Sequence, residues 1–395
     1  MPFLSTVLHH NYPLPPEAVQ QGPRVIEAAP PTTSTGPKYK FTNNDVYSML
    51  FNGVESWAKN IQLGKSALQA HANEIKLRKE GVNADVIEIP DNPRYVDVTM
   101  VAGMGPLAGI DMATKSFKSA EKDGQPTSDQ DHMPSGLLNQ SLLVMDRTAY
   151  LNSFTGDRND LAAWYAHLTA KVPENPLWGM LDLTRRATNS GAHVEVMPCN
   201  TAHMYHVILS AESSVPFLNI ADSVMYHLAK KYKDRTEPLN ILIVATEGTV
   251  AGGLYPQQER EMRKKYALPP INWVTPGAKA QSLISSGIYD GVKASNLPLG
   301  AQLVHDGEVL AIHQAAAEGT TIHLRGQFCT EIEPAEAAMG PLQKSDLAGS
   351  DPIDAAQTLI DMAIDASKAL KQANKIVDQL AQQQLDAQAQ LRVAA

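Results

Sequence analysis

Cysteine is nearly absent from this chain: only Cys199 and Cys329 occur in 395 residues. Two thiols exclude a disulfide scaffold and a cysteine-rich zinc module. Two lone cysteines in so long a chain fit a reducing compartment. Long apolar runs are missing too, since nothing approaches the roughly 20 consecutive apolar residues of a membrane span. The start, MPFLSTVLHHNYPLPPE, has neither a cationic beginning nor a long apolar stretch. A secretory signal is therefore not expected. Cytoplasmic location is expected, with export lacking a standard signal peptide as the alternative. There is no basic excess: 33 Lys and Arg stand against 42 Asp and Glu, a net charge of −9. That argues against nucleic acid and anionic membrane as partners. What is present is a 43% hydrophobic composition, enough for a sizeable core, and a length that fits two or three domains or one two-lobed enzyme.

Residues 1–41 hold eight of the 26 prolines and read as a mostly disordered tail. Residues 43–80 carry Val46, Leu50, Val54, Trp57 and Ile61 at three- and four-residue spacing, which predicts a helix capped by Asn43 or Asn44 and ended by Gly81. Residues 42–93 thus form a helical N-terminal extension. From residue 82 the pattern changes, and β-branched runs alternate with helical patterns. VNADVIEI, YVDVTMVAG, AHVEVMP, LNILIVAT and TIHLRGQ read as strands, and parallel pairing through helices gives an α/β class. Residues 352–385 read as one long helix beginning at Pro352, with a stripe from Leu359 to Leu380; it either docks on the body or forms a coiled coil. A short internal repeat, V-A-x-x-G-x-x-A-G, starts at Val101 and again at Val244. Each copy is followed much later by a strand-like run ending in a cysteine, so each half contributes a glycine-rich turn and one thiol.

The contexts of the two cysteines are alike. Cys199 lies in EVMPCNTAH and Cys329 in LRGQFCTEIE, each after a strand-like run and before small hydrogen-bonding residues. Carboxyl ends of parallel strands face the ligand crevice of α/β proteins. Two thiols across one pocket suit proton transfer at carbon, where inversion needs a base on one face and an acid on the other. An ordinary thiol titrates near pH ~8.5, so modest tuning gives either form. Burial as small apolar residues is the competing reading, and a Cys199–Cys329 disulfide is another. The GMGPLAG segment is neither a dinucleotide fingerprint nor a phosphate loop; alone it is a tight turn near a helix start.

GMGPLAG, DQDHMPSGLLNQSLLVMDRT, MPCNTAH, VATEGTVAGGLY, IYDGVK and CTEIEP, in this order over about residues 95–370, resemble the cofactor-independent aspartate/glutamate racemase superfamily, and most of all its aspartate-racemase branch. The resemblance implies two pseudo-symmetric α/β lobes, with parallel-rich sheets flanked by helices and the active site between them. On this basis residues 94–235 form a first lobe completed by helix 352–375, residues 236–351 a second lobe, and residues 376–395 a helical or frayed tail. It implies that Cys199 and Cys329 are the acid/base pair, that Asn200, Thr201 and Thr330 hold the α-carboxylate, and that Arg147 and Lys293 bind a side-chain carboxylate. Gly105 belongs to the substrate-binding set by the same match. No cofactor is implied, and a homodimer is.

The expected activity is interconversion of L- and D-aspartate or glutamate by two-base transfer. A broad-specificity amino-acid or hydantoin-type racemase is one alternative. A non-catalytic interaction protein using the terminal extensions is the other. Arg325 and Gln327 are polar where the family has a more apolar strand, which leaves the register before Cys329 open. His203 either tunes the pocket or packs, and Glu331 either sets the protonation of Cys329 or neutralises a helix start. His132 either lines the pocket or bonds within its loop. His203 and His206 lie three apart with no third ligand spaced for a metal, so no metal is expected.

Overall fold

The computed structural model describes residues 40–61, 65–79, 92–124, 126–158 and 160–394. The expected VNADVIEI strand, the Gly81 stop and nearly all of the proline-rich tail lie outside the described residues.

Among the described residues, seven strands form two parallel sheets. Strands β1 (Val98–Ala102), β2 (Ser135–Asn139) and β3 (Val194–Val196) build the first, in the order β2-β1-β3. Strands β4 (Leu239–Val244), β5 (Ile271–Val274), β6 (Leu324–Gln327) and β7 (Asp351–Asp354) build the second, in the order β5-β4-β6-β7. The two orders correspond strand for strand, and a parallel bridge from Glu195 to Phe217 stands where β7 flanks β6. Thr99 faces Glu195 in one sheet as Leu242 faces Arg325 in the other. Parallel strands need crossovers, and helices such as Pro106–Gly124 and Leu297–Ala317 supply them.

Strands β2, β5 and β7 are absent from the sequence expectation, each for a local reason. SGLLN is a half-exposed edge, INWV has four residues, and DPID is polar with a proline. Edge strands tolerate such sequences because one side of the ladder is free. The C-terminal helix accordingly begins at Ala355 and not at Pro352, with Asp354 accepting from the Ala356 and Gln357 amides at 2.8 and 3.2 Å. The second sheet therefore runs past residue 351.

That helix docks on the body. Leu359, Ile360, Met362, Ala363, Ala366, Leu370, Ala373 and Val377 are buried in a core shared with β1, β3, β4 and β6. Ser367 accepts from the Val96 amide at 2.8 Å and donates to its carbonyl at 2.6 Å, tying the helix to the entry of β1. The predicted helix 43–80 is three pieces, Asn43–Asn52, Val54–Asn60 and Lys65–Lys79. Gly53, at φ +86°, breaks the first join. The cap is Thr42 and neither Asn43 nor Asn44: Thr42 and Asp45 form a reciprocal capping box. Asn43 instead bonds Phe217 in both directions, its Nδ2 donating to the carbonyl at 3.0 Å and its Oδ1 accepting from the amide at 2.8 Å. Phe41, Val46, Tyr47, Met49 and Trp57 enter the same core, so Phe41, the last residue of the expected tail, is a core residue.

The polar strand before Cys329 keeps its register. Arg325 is buried, but its guanidinium meets Glu308 at 3.1 Å and Glu336 at 2.8 Å, while Nε donates to Ser350 Oγ at 3.2 Å. A buried charge with such partners is tolerated where an unpaired one is not.

Candidate active site

The first lobe sets its residues at the carboxyl ends of β1 and β3. After β1 the chain turns at Gly103, φ +120°, where a Cβ would lie 2.6 Å from the Gln140 backbone. No side chain fits there. After β3 the chain reaches Cys199, whose amide donates to the Met197 carbonyl at 2.9 Å. Arg147 opens the helix Arg147–Asn152, which Asp146 caps by accepting from the Ala149 amide at 2.9 Å. The guanidinium is held by two backbone carbonyls: Nη2 donates to Met104 at 2.6 Å and Nη1 to Met145 at 3.1 Å. Its Nε is buried without a partner. Burial opposes the charge, but the Cys199 side chain against it, then Asp146, hold Arg147 above its ordinary value.

The second lobe sets Cys329 two residues past β6. Its thiol donates to Glu331 Oε2 at 2.8 Å, and the Thr330 hydroxyl donates to the same oxygen at 3.2 Å. The other carboxylate oxygen of Glu331 is 3.9 Å from Lys293 Nζ. It also lies 2.8 Å from where a Cβ on Gly105 would stand, so Gly105 leaves the space that Glu331 fills. Burial first, and the Glu331 charge second, push the Cys329 thiol well above its usual range. Lys293 follows a π turn, Gly287–Val292, and its Nζ lies 4.5 Å from the centre of the Tyr289 ring. Burial works against this ammonium, while Glu331, then Cys329, raise it. With 27% of its side chain exposed, Lys293 stays open to a ligand.

The lobes are stitched together at this level. Thr201 Oγ1 is 3.1 Å from Thr246 Oγ1 and 2.9 Å from Thr249 Oγ1. The Tyr255 hydroxyl donates to Asn200 Oδ1. A Cβ on Gly248 would lie 3.1 Å from Thr148 Oγ1. Cys199, Cys329, Arg147, Lys293, Glu331 and Gly105 are thus gathered where the two sheets' carboxyl ends meet, with Asn200, Thr201 and Thr330 beside them. Tyr255, Thr246, Thr249 and the Met104 carbonyl were not singled out by the sequence reading. The first three lie in VATEGTVAGGLY, the segment that opens with the second copy of the repeat, which is the available signal.

His203 is committed to packing. Its Nδ1 accepts from the Ile220 amide at 3.4 Å, so Nε2 carries the hydrogen and donates to the Met197 carbonyl at 3.0 Å. Burial and the neighbouring His206 lower it to about 3, so the ring stays neutral. It supports the turn before Cys199 and has no proton to offer the pocket. His206 bonds the Phe217 carbonyl at 2.7 Å, and burial lowers it to about 4. His132 packs its ring edge-on to Phe117, centroids 6.2 Å apart. Among the described residues no cluster of three or more His, Cys, Asp or Glu could hold a metal ion.

Residues 101–270 match the family model described as Asp/Glu/Hydantoin racemase. That stretch belongs to the Asp/Glu/hydantoin racemase family. The chain is accordingly an isomerase of the racemase class. Arg147, Cys199, Asn200, Thr201 and Tyr255 fall inside the matched residues, while Lys293, Cys329 and Glu331 fall beyond them. Among solved structures, the aspartate racemase of Picrophilus torridus is 20% identical over 72% of this chain and 99% of its own, with a TM-score of 0.46. An aspartate racemase homologue from Pyrococcus horikoshii is 14% identical over 67% and 95%, with a TM-score of 0.44. A glutamate racemase from Bacillus anthracis is 12% identical over 68% and 80%, with a TM-score of 0.40.

Proposed function

We propose that this racemase inverts the α-carbon of aspartate, glutamate or both, by two-base proton transfer between Cys199 and Cys329 and without a cofactor. The observation that carries the reading is the pairing of each thiol with a different charge: Cys199 lies against the Arg147 guanidinium, and Cys329 donates to the Glu331 carboxylate at 2.8 Å. Two-base inversion needs one thiolate and one thiol at the start. Cys329 holds its proton toward Glu331, so Cys199 is the base. The enantiomer whose α-hydrogen faces Cys199 loses that proton to its sulfur. The electron pair left on carbon spreads into the α-carboxylate, where hydrogen-bond donors stabilise it. Cys329 then gives its proton to the opposite face and becomes a thiolate, whose charge Lys293 offsets against Glu331. The opposite enantiomer runs the same steps backwards.

Two cations on one site favour a substrate with a second carboxylate over a neutral amino acid or a hydantoin. The interaction-protein reading is the weaker one, because the first two N-terminal helices and the C-terminal helix are built into the main core. Both thiols are free in the structure, and the mechanism needs them reduced, which suits the cytoplasm. A homodimer completes the proposal, and light scattering of the purified chain tests it.

The direct test is chiral chromatography of L-aspartate and L-glutamate incubated with the enzyme and with Cys199→Ser and Cys329→Ser. Each substitution should abolish inversion, while one variant can still exchange the α-proton of a single enantiomer with solvent. Normal racemisation by both variants rejects the mechanism.

A further inference from the structure

Asn200 follows Cys199 directly and is 2% exposed. Its amide nitrogen is buried with no hydrogen-bond partner. A buried unpaired donor costs free energy unless something fills it. Its oxygen is taken by the hydroxyl of Tyr255, a residue 1% exposed and contributed by the other lobe. The direction of this bond follows from the inventory of the two groups. Among the described residues the Tyr255 hydroxyl meets no other acceptor, so the phenol donates and the amide oxygen accepts. The amide is thereby locked with Nδ2 as its free donor. Burial, then the Asp354 carboxylate and the Cys329 side chain nearby, raise the phenol well above its ordinary value and keep its proton in place.

The ring of Tyr255 has a second role. It stacks on Phe328, centroids 3.5 Å apart and planes 13° from parallel, and Phe328 immediately precedes Cys329. Trp273 closes the other edges, 5.9 Å from Tyr255 and 6.1 Å from Phe328. One side chain therefore grips both cysteine turns, through its hydroxyl on one and its face on the other.

We propose that Tyr255 is a positioning residue: its hydroxyl fixes the Asn200 amide so that Nδ2 donates to the substrate's α-carboxylate, and its ring keeps that donor in register with the Cys329 turn. The inference rests on the racemase reading of the site. A donor held in place needs no reorganisation when charge builds on the carboxylate during deprotonation, so its loss affects kcat as well as KM.

Tyr255→Phe keeps the stack and removes only the hydroxyl. Steady-state racemisation of the preferred acidic amino acid should show kcat/KM reduced roughly 100-fold. Asn200→Ala should show a similar loss, and the double variant no more than either single one, because both remove the same oriented donor. A merely structural tyrosine would give losses that multiply. Asn200→Asp keeps an acceptor for Tyr255 but turns the donor into an acceptor, so it should lose more activity than Asn200→Ala at a similar melting temperature. It serves the same purpose if Tyr255→Phe does not fold. A change under twofold in Tyr255→Phe, multiplying losses in the double variant, or an active Asn200→Asp would each overturn the role given to Tyr255. Failure of the wild-type enzyme to racemise either substrate would instead overturn the racemase reading.

Discussion

The two halves of this molecule repeat one topology but put opposite charge into it. Cys199 and Cys329 each follow the strand beside the central one, and the residue four positions earlier is Glu195 in the first half and Arg325 in the second. Glu195 is fully buried with only hydroxyl partners, Thr188 at 2.8 Å and Ser213 at 3.2 Å. Arg325 is buried between two carboxylates. The thiols show the reverse pairing, a cation at Cys199 and a carboxylate at Cys329. The lesson is that a repeated backbone fixes where a thiol stands, while the side chains around it decide which charge it meets.

The strongest way to break this comparison is at the buried ion cluster. Arg325→Leu leaves Glu308, which is 0% exposed, and Glu336 without their cation. Such a broken buried pair costs about 3–5 kcal/mol. Urea denaturation at pH 7 should show that loss, and a cost under 1 kcal/mol would mean the two acids rearrange or take up protons freely.

A somewhat smaller effect belongs to Glu195. Burial raises its carboxyl to about 7, with Thr188 and Ser213 only partly offsetting it. The folded state then binds more protons than the unfolded state between pH about 4.5 and 7. The associated stability is full below about 4.5 and is lost as pH rises through 7, by about 3 kcal/mol. Glu195→Gln keeps a hydrogen-bonding group without the charge. Denaturation curves across this window should be flatter for the variant, and an unchanged slope would show that Glu195 does not titrate there.

Third comes Glu331→Gln, which removes the charge holding the proton on Cys329. Iodoacetamide labelling of each cysteine, resolved by mass spectrometry over a pH series, should show Cys329 reacting at lower pH in the variant and Cys199 nearly unchanged. Equal displacement of both thiols would erase the asymmetry. The smallest effect is at His203: with both ring nitrogens engaged and burial lowering it to about 3, nitrogen NMR should record one Nε2–H tautomer and no titration from pH 5 to 8.

Much of the site was readable in the chain because its signals are local. Cys199, Asn200 and Thr201 stand in one motif, and Cys329, Thr330 and Glu331 in another, each at a strand end where ligands gather. The C-terminal helix was readable from its apolar stripe, but its start was placed early, because Pro352 resembles a helix-opening proline and instead sits in β7. The single helix expected over residues 43–80 failed at Gly53, where the periodicity continues through a backbone that does not. Tyr255 was invisible as a positioning residue because its partners, Asn200 and Phe328, lie 55 and 73 residues away. Arg325 looked misplaced for a similar reason: the carboxylates that neutralise it come from two different helices.

The most direct measurement of the central claim is proton NMR of the reduced enzyme in D₂O with L-aspartate and then L-glutamate, followed by chiral chromatography of the same samples. The account predicts loss of the α-proton signal together with appearance of the α-deuterated D-enantiomer for at least one of the two. No loss of the α-proton from either substrate would contradict it.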